Sequence, residues 1–110
     1  MPTLSTHVLD VVVGRPAEGV TVTLTPADGD KTGEVVRART GVDGRIAEPL
    51  GGNLAIGIWK LSFALGSYYA EQGTPAFVVN FDVTVALGEE RHYHVPVLST
   101  PHAATTYLGT

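Results

Sequence analysis

Over much of this chain apolar side chains fall on every second position. From Gly19 onward, Val20, Val22 and Leu24 lie on one parity, with Thr21, Thr23 and Thr25 on the other. Such alternation, rich in β-branched residues, predicts a half-buried strand. Trp59, Leu61, Phe63 and Leu65 repeat the pattern against Lys60, Ser62 and Ala64, and Phe81, Val83 and Val85 repeat it against Asp82 and Thr84. Further strands are predicted at Leu4–Val11, Glu34–Thr40, Arg45–Glu48, Arg91–Leu98 and Ala103–Leu108. Turn chemistry separates them: Gly14-Arg15-Pro16, Pro26–Gly29, Asp43-Gly44, Gly51-Gly52-Asn53 and Gly88 supply the φ values that chain reversals need.

One stretch breaks the two-residue rhythm. Ser67-Tyr68-Tyr69-Ala70-Glu71-Gln72-Gly73 carries a capping serine, helix-tolerant residues and a glycine where a helix would stop. It predicts one short helix, about 67–73. About eight strands and a single helix imply an all-β sandwich.

Composition narrows the function. The chain has 110 residues and is 44% hydrophobic, which suits one packed domain spanning residues 1–110 and excludes a disordered chain. Seven Lys and Arg against eleven Asp and Glu give a net charge of −4, with no basic cluster for nucleic acid. The absence of cysteine excludes disulfides, zinc–thiolate and iron–sulfur sites and a cysteine nucleophile. Val11-Val12-Val13 is far too short for a membrane span or a signal-peptide core, so a cytoplasmic protein without a membrane partner is expected. A core of this size is marginal alone, which makes burial of further surface in an oligomer reasonable.

Three places put ionisable groups where a purely structural sandwich has little use for them. In Leu4-Ser5-Thr6-His7-Val8-Leu9-Asp10, residues Ser5, His7 and Leu9 share a face. In His92-Tyr93-His94-Val95-Pro96, the two histidines project together, about 7 Å apart on a strand. Two such imidazoles can hold a metal, form an acid–base pair or simply face water. Pro96 cannot donate to a ladder, which predicts an edge or a bulge there. The third place is Thr40-Gly41-Val42-Asp43-Gly44-Arg45, where a tight turn precedes an arginine whose planar fork suits a carbonyl or an anion.

These segments together resemble the transthyretin-related family, in particular its enzymatic branch, the 5-hydroxyisourate hydrolases of purine breakdown. Residues Leu4–Asp10 with Gly14-Arg15-Pro16-Ala17, the turn Thr40–Arg45, Ile58–Phe63 with Ser67-Tyr68-Tyr69, and His92–Pro96 carry the likeness in order along nearly the whole chain. The resemblance implies a transthyretin-like (prealbumin-like) Greek-key β-sandwich and a homotetramer, a dimer of dimers, with active sites in the channel between dimers. It implies a hydrolase rather than a hormone carrier, because transthyretin itself lacks the histidine and arginine set. The C-terminus departs from the pattern. Family enzymes typically end Tyr-Arg-Gly-Ser, whereas this chain ends Tyr107-Leu108-Gly109-Thr110, and the segment Thr74–Asn80 lacks the family's Phe-Pro step.

The chemistry so implied is water attack on a lactam carbonyl. It needs a base for the water, a stabiliser for the oxyanion and a grip on a flat polar heterocycle. The resemblance assigns His7 and His94 to water activation and proton transfer and Arg45 to the carbonyl. It makes His92 an orienting neighbour and places Tyr107 and Thr110 against the substrate. No cofactor and no metal are expected. Three alternatives stay open: a zinc hydrolase using His7, His92 and His94, a transthyretin-like binder of small molecules without catalysis, and a structural adhesion-type sandwich.

Overall fold

The parity seen in the sequence is the parity of burial. The structure, a computed structural model, describes residues 1–27, 35–47 and 49–109. Strand β1 (Thr3–Asp10) buries Leu4, Thr6, Val8 and Asp10 and leaves Thr3, Ser5, His7 and Leu9 on its outer face. It is followed by β2 (Arg15–Pro16), β3 (Thr21–Pro26), β4 (Val36–Arg39), β5 (Gly57–Phe63), helix α1 (Leu65–Glu71), β6 (Phe81–Leu87), β7 (His92–Thr100) and β8 (Ala103–Thr106). Two four-stranded sheets result, in the orders β2-β1-β7-β8 and β4-β3-β5-β6. Leu4 and Val8 of β1, with Val95 and Val97 of β7, meet Val22 and Leu24 of β3 and Leu61 and Phe63 of β5 in one core. The all-β sandwich expected from alternation is therefore the fold.

Local expectations differ from the structure in instructive places. The helix begins at Leu65, two residues before Ser67, and has no side-chain cap. Packing replaces the cap: the Gly66 N–H donates to the Val79 carbonyl at 2.8 Å, and Leu65, Tyr68 and Tyr69 form the buried stripe. Its end follows expectation, since Gly73 has φ 75° and the N–H groups of Gly73 and Thr74 donate to the Ala70 and Tyr69 carbonyls. Arg15-Pro16, expected as part of a turn, pairs with Asp10 and Leu9 as β2, a short edge strand that tolerates proline.

The strand expected over Arg45–Glu48 is absent among the described residues, which exclude Glu48. Only Arg45 bridges, to His7. Start and stop residues also move: Leu65 belongs to the helix, β7 runs on to Thr100 and β8 stops at Thr106. Glu34 lies outside the described residues. Pro96 sits in a central strand rather than at an edge. Its carbonyl, like that of His94, faces β8, accepting from Thr106 Oγ1 at 2.7 Å while His94 accepts from the Gly109 N–H at 2.8 Å. The β7–β8 ladder stops at Val97–Thr106, so the missing proline donor leaves no partner wanting.

Asp10 ties the helix to the first sheet. It is buried, and its Oδ1 accepts from the Val12 and Val13 N–H groups while Oδ2 accepts from the Tyr68 hydroxyl at 2.8 Å. Burial and this bond to a carboxylate push the Tyr68 phenol well above its usual range. Tyr69 joins Ser99 of β7 at 2.9 Å, and burial raises its phenol too. Among the described residues no helix is long and apolar enough to cross a membrane.

Candidate functional site

β1 and β7 run parallel, and their register sets the polar side chains side by side on the outer face of the first sheet. Thr3 stands opposite His92, Ser5 opposite His94 and His7 opposite Pro96. Both histidines of β7 thus share a face, as alternation requires. The three polar segments of the sequence meet because this parallel pair brings residues from opposite ends of the chain together.

Hydroxyls thread the imidazoles. Thr3 Oγ1 lies 2.6 Å from His92 Nδ1, and Ser5 Oγ lies 2.7 Å from His92 Nε2. The same Ser5 Oγ lies 2.8 Å from His94 Nδ1. Both nitrogens of His92 and one of His94 are therefore engaged.

The turn Gly41–Arg45 delivers the guanidinium. The Arg45 N–H donates to Asp43 Oδ1 at 3.0 Å and the Gly41 N–H to the Arg45 carbonyl at 2.7 Å, which closes the turn. The Val8 N–H donates to the Gly44 carbonyl at 3.0 Å, and Arg45 forms an isolated antiparallel bridge with His7. Bridge partners share a face, so Arg45 and His7 project outward together. Gly44 makes this docking possible: its φ is +77°, and a Cβ there would stand 2.6 Å from the Val8 carbonyl oxygen and 3.0 Å from His7 Cδ2.

A hollow of about 310 Å³ is lined by Ser5, Arg45, Arg91, His92, His94 and Gly109. His94 is half-buried in it, and burial first, then the charges of Arg45, His7 and His92, hold its pKa below the ordinary histidine value. A neutral imidazole beside a fixed guanidinium suits a base next to a carbonyl polariser. A larger hollow of about 950 Å³ lies elsewhere, around Asp10, Arg39 and Tyr68, and contains none of these histidines.

Of the residues expected from the sequence, Arg45, His92 and His94 line the smaller hollow, while His7 stands beside Arg45 outside its lining. Tyr107 is exposed and does not line it, and Thr110 lies outside the described residues. Sequence reasoning gave no role to Ser5, Gly109 or Arg91. Ser5 had a signal, its shared parity with His7, and Gly109 had one in its match to the glycine of the family's terminal Tyr-Arg-Gly-Ser, whereas Arg91 had none. A three-histidine zinc site needs converging free nitrogens. Both His92 nitrogens are already bound to hydroxyls, and among the described residues no group of three or more His, Asp or Glu converges to hold a metal.

Known proteins with the same pattern are informative at this point. A 5-hydroxyisourate hydrolase of Caulobacter vibrioides is 37% identical over 116 aligned positions, covering 100% of both chains. The solved structure of a 5-hydroxyisourate hydrolase from Klebsiella pneumoniae superimposes with a TM-score of 0.85 at 34% identity, covering 100% of this chain and 94% of that one. Transthyretin from Sparus aurata, 22% identical, matches with a TM-score of 0.87 over 97% of this chain and 96% of its own, a likeness of fold. The profile of the HIUase/Transthyretin family matches residues 4–109, and the chain belongs to that family.

Proposed function

We propose that this protein hydrolyses 5-hydroxyisourate to 2-oxo-4-hydroxy-4-carboxy-5-ureidoimidazoline, a step of urate breakdown. The observation that carries this reading is the meeting of His94 and Arg45 on one small hollow, in a chain that full-length hydrolase relatives match. Water adds to the lactam carbonyl, its proton passes to an imidazole, and the oxyanion rests against Arg45. The ring C–N bond then breaks, and the nitrogen takes the proton as the carboxylate and ureido groups separate. His94 is the base, because its environment favours the neutral form at physiological pH. His7 orients Arg45 and the substrate across their shared bridge. His92 steadies His94 through Ser5; Tyr107, exposed outside the hollow of one subunit, meets the heterocycle in the channel of the assembled tetramer, and Thr110 is a further substrate contact.

The same reading includes a cytoplasmic homotetramer built as a dimer of dimers. Among the described residues β6 and β8 are edge strands of their sheets, which a second copy would continue. Leu98, Tyr107 and Leu108 are exposed on the C-terminal side, apolar surface that a dimer–dimer contact would cover.

The test is the ultraviolet absorbance decay of freshly made 5-hydroxyisourate. Acceleration far above the buffer rate by the wild-type chain, and its loss in His94→Asn, is the expected result. Decay at the buffer rate, with the compound retained on the protein, would instead identify a carrier without catalysis. Sedimentation at micromolar concentration checks the tetramer independently.

A further inference from the structure

We propose that Ser5 and His92 form a proton relay behind His94, so that the positive charge created when His94 takes a proton from water rests on His92 until the ring C–N bond breaks. This rests on the hydrolase reading above and gives Ser5 and His92, there only supports of His94, a part in moving the proton.

A hydroxyl carries a single proton. Ser5 Oγ lies within hydrogen-bond distance of two ring nitrogens, His94 Nδ1 at 2.8 Å and His92 Nε2 at 2.7 Å. It can donate to one and must accept from the other, so the two neutral imidazoles take coupled tautomers. When His94 donates its Nδ1–H to Ser5, its Nε2 lone pair is free for the hollow. Ser5 then donates to His92 Nε2, and His92 donates its Nδ1–H to Thr3 Oγ1 at 2.6 Å. This is the base-ready state.

Proton capture shifts the whole chain by one bond. His94 Nε2 takes a proton from the attacking water, His94 Nδ1–H passes to Ser5 Oγ, and the Ser5 hydroxyl proton passes to His92 Nε2. The result is a neutral His94 with Nε2–H and a His92 imidazolium. Collapse of the tetrahedral adduct reverses each transfer: Nε2–H goes to the leaving nitrogen, Ser5 returns a proton to His94 Nδ1, and His92 becomes neutral again. One proton leaves water and one reaches the leaving nitrogen, so the cycle balances.

The surroundings favour storage at His92. A charge on His94 would sit half-buried beside Arg45 and near His7, whereas His92 is exposed to water. The other charged group lining the hollow among the described residues, Arg91, has its guanidinium over the Tyr93 ring at 4.7 Å, and none of those residues brings a carboxylate to the lining. Geometry therefore makes Ser5 a positioning residue that links a buried base to a solvated reservoir.

Ser5→Val, Ser5→Thr and His92→Gln provide the experiment, read by kcat, by the solvent isotope proton inventory and by the ¹⁵N shifts of the imidazoles. Valine keeps the branched shape of threonine without the hydroxyl, and near-ultraviolet circular dichroism verifies that each variant is folded. Ser5→Val should lose roughly tenfold or more in kcat with KM little changed, and its inventory should become linear where the wild type's is curved. Ser5→Thr should recover most of that loss. His92→Gln should resemble Ser5→Val, and the double variant should be no slower than either single one. A Ser5→Val enzyme with wild-type kcat and inventory overturns the relay alone, as do independent, multiplying losses in the double variant. Unchanged ¹⁵N tautomer signals in Ser5→Val overturn it without any assay. A wild-type chain inert towards 5-hydroxyisourate overturns the hydrolase reading and the relay's catalytic use together.

Discussion

Gly109 lies against the face of His94 so closely that a Cβ on it would stand 2.7 Å from the imidazole Cδ2, while its N–H donates to the His94 carbonyl at 2.8 Å. The C-terminal chain thus forms a wall of the hollow, and that wall has no room for a methyl group. Gly109→Ala must shift either the ring or the C-terminal segment that bridges to His94. The expected result is a roughly ten- to hundredfold loss in kcat/KM, because misplacement of a reacting group by even an ångström is costly. The midpoint of urea unfolding should move little, since the clash falls on His94 and the terminal segment and not on the apolar core. A Gly109→Ala enzyme as active as the parent would show that the wall has no part in placing His94.

Arg45 depresses the His94 pKa, though less than burial does. The acid limb of kcat/KM should therefore lie below the ordinary histidine value of about 6.5 and should move upward in Arg45→Ala, though not fully back. The same variant should lose on the order of 10²–10³ in kcat if the guanidinium receives the oxyanion. Stability follows the same linkage. The unfolded chain holds the His94 proton more tightly, so stability rises with pH below about 6.5 and falls as acid protonates the folded state. Arg45→Ala should show a smaller acid loss of stability. pH–rate profiles and urea titrations at several pH values measure both, and an unmoved acid limb would remove the electrostatic link.

Tyr68 tests the fold apart from the site. Its hydroxyl donates to the buried Asp10 carboxylate at 2.8 Å, a bond to a charged group far from the His94 hollow. Tyr68→Phe should cost about 1.5–3 kcal/mol of stability, seen as a lower urea midpoint at unchanged slope. Turnover at ordinary temperature should persist. An unchanged midpoint would mean that the two backbone donors at Val12 and Val13 already satisfy Asp10.

Much of the fold was legible along the chain because strands keep a period of two. The buried set Val22, Leu24, Leu61 and Phe63 and the shared face of His92 and His94 follow from parity alone. Local signals mark helix α1 but start it at Ser67, two residues late, because the partner of its first turn is the Val79 carbonyl, a contact distant in sequence. Pro96 reads along the chain as an edge or a bulge, and only the ending of the β7–β8 ladder shows why a central strand accepts it.

Local spacing thus settled most of the strands, which of their faces are apolar and which segments carry titratable groups, while Arg15-Pro16 and Arg45–Glu48 escaped it. Tertiary structure decided which of those groups meet. The parallel pairing of β1 with β7 sets Ser5 beside His94, and the Gly44 turn lays Arg45 against His7. Neither contact has a local signature, because register between distant strands is set by how buried faces pack and not by spacing along the chain.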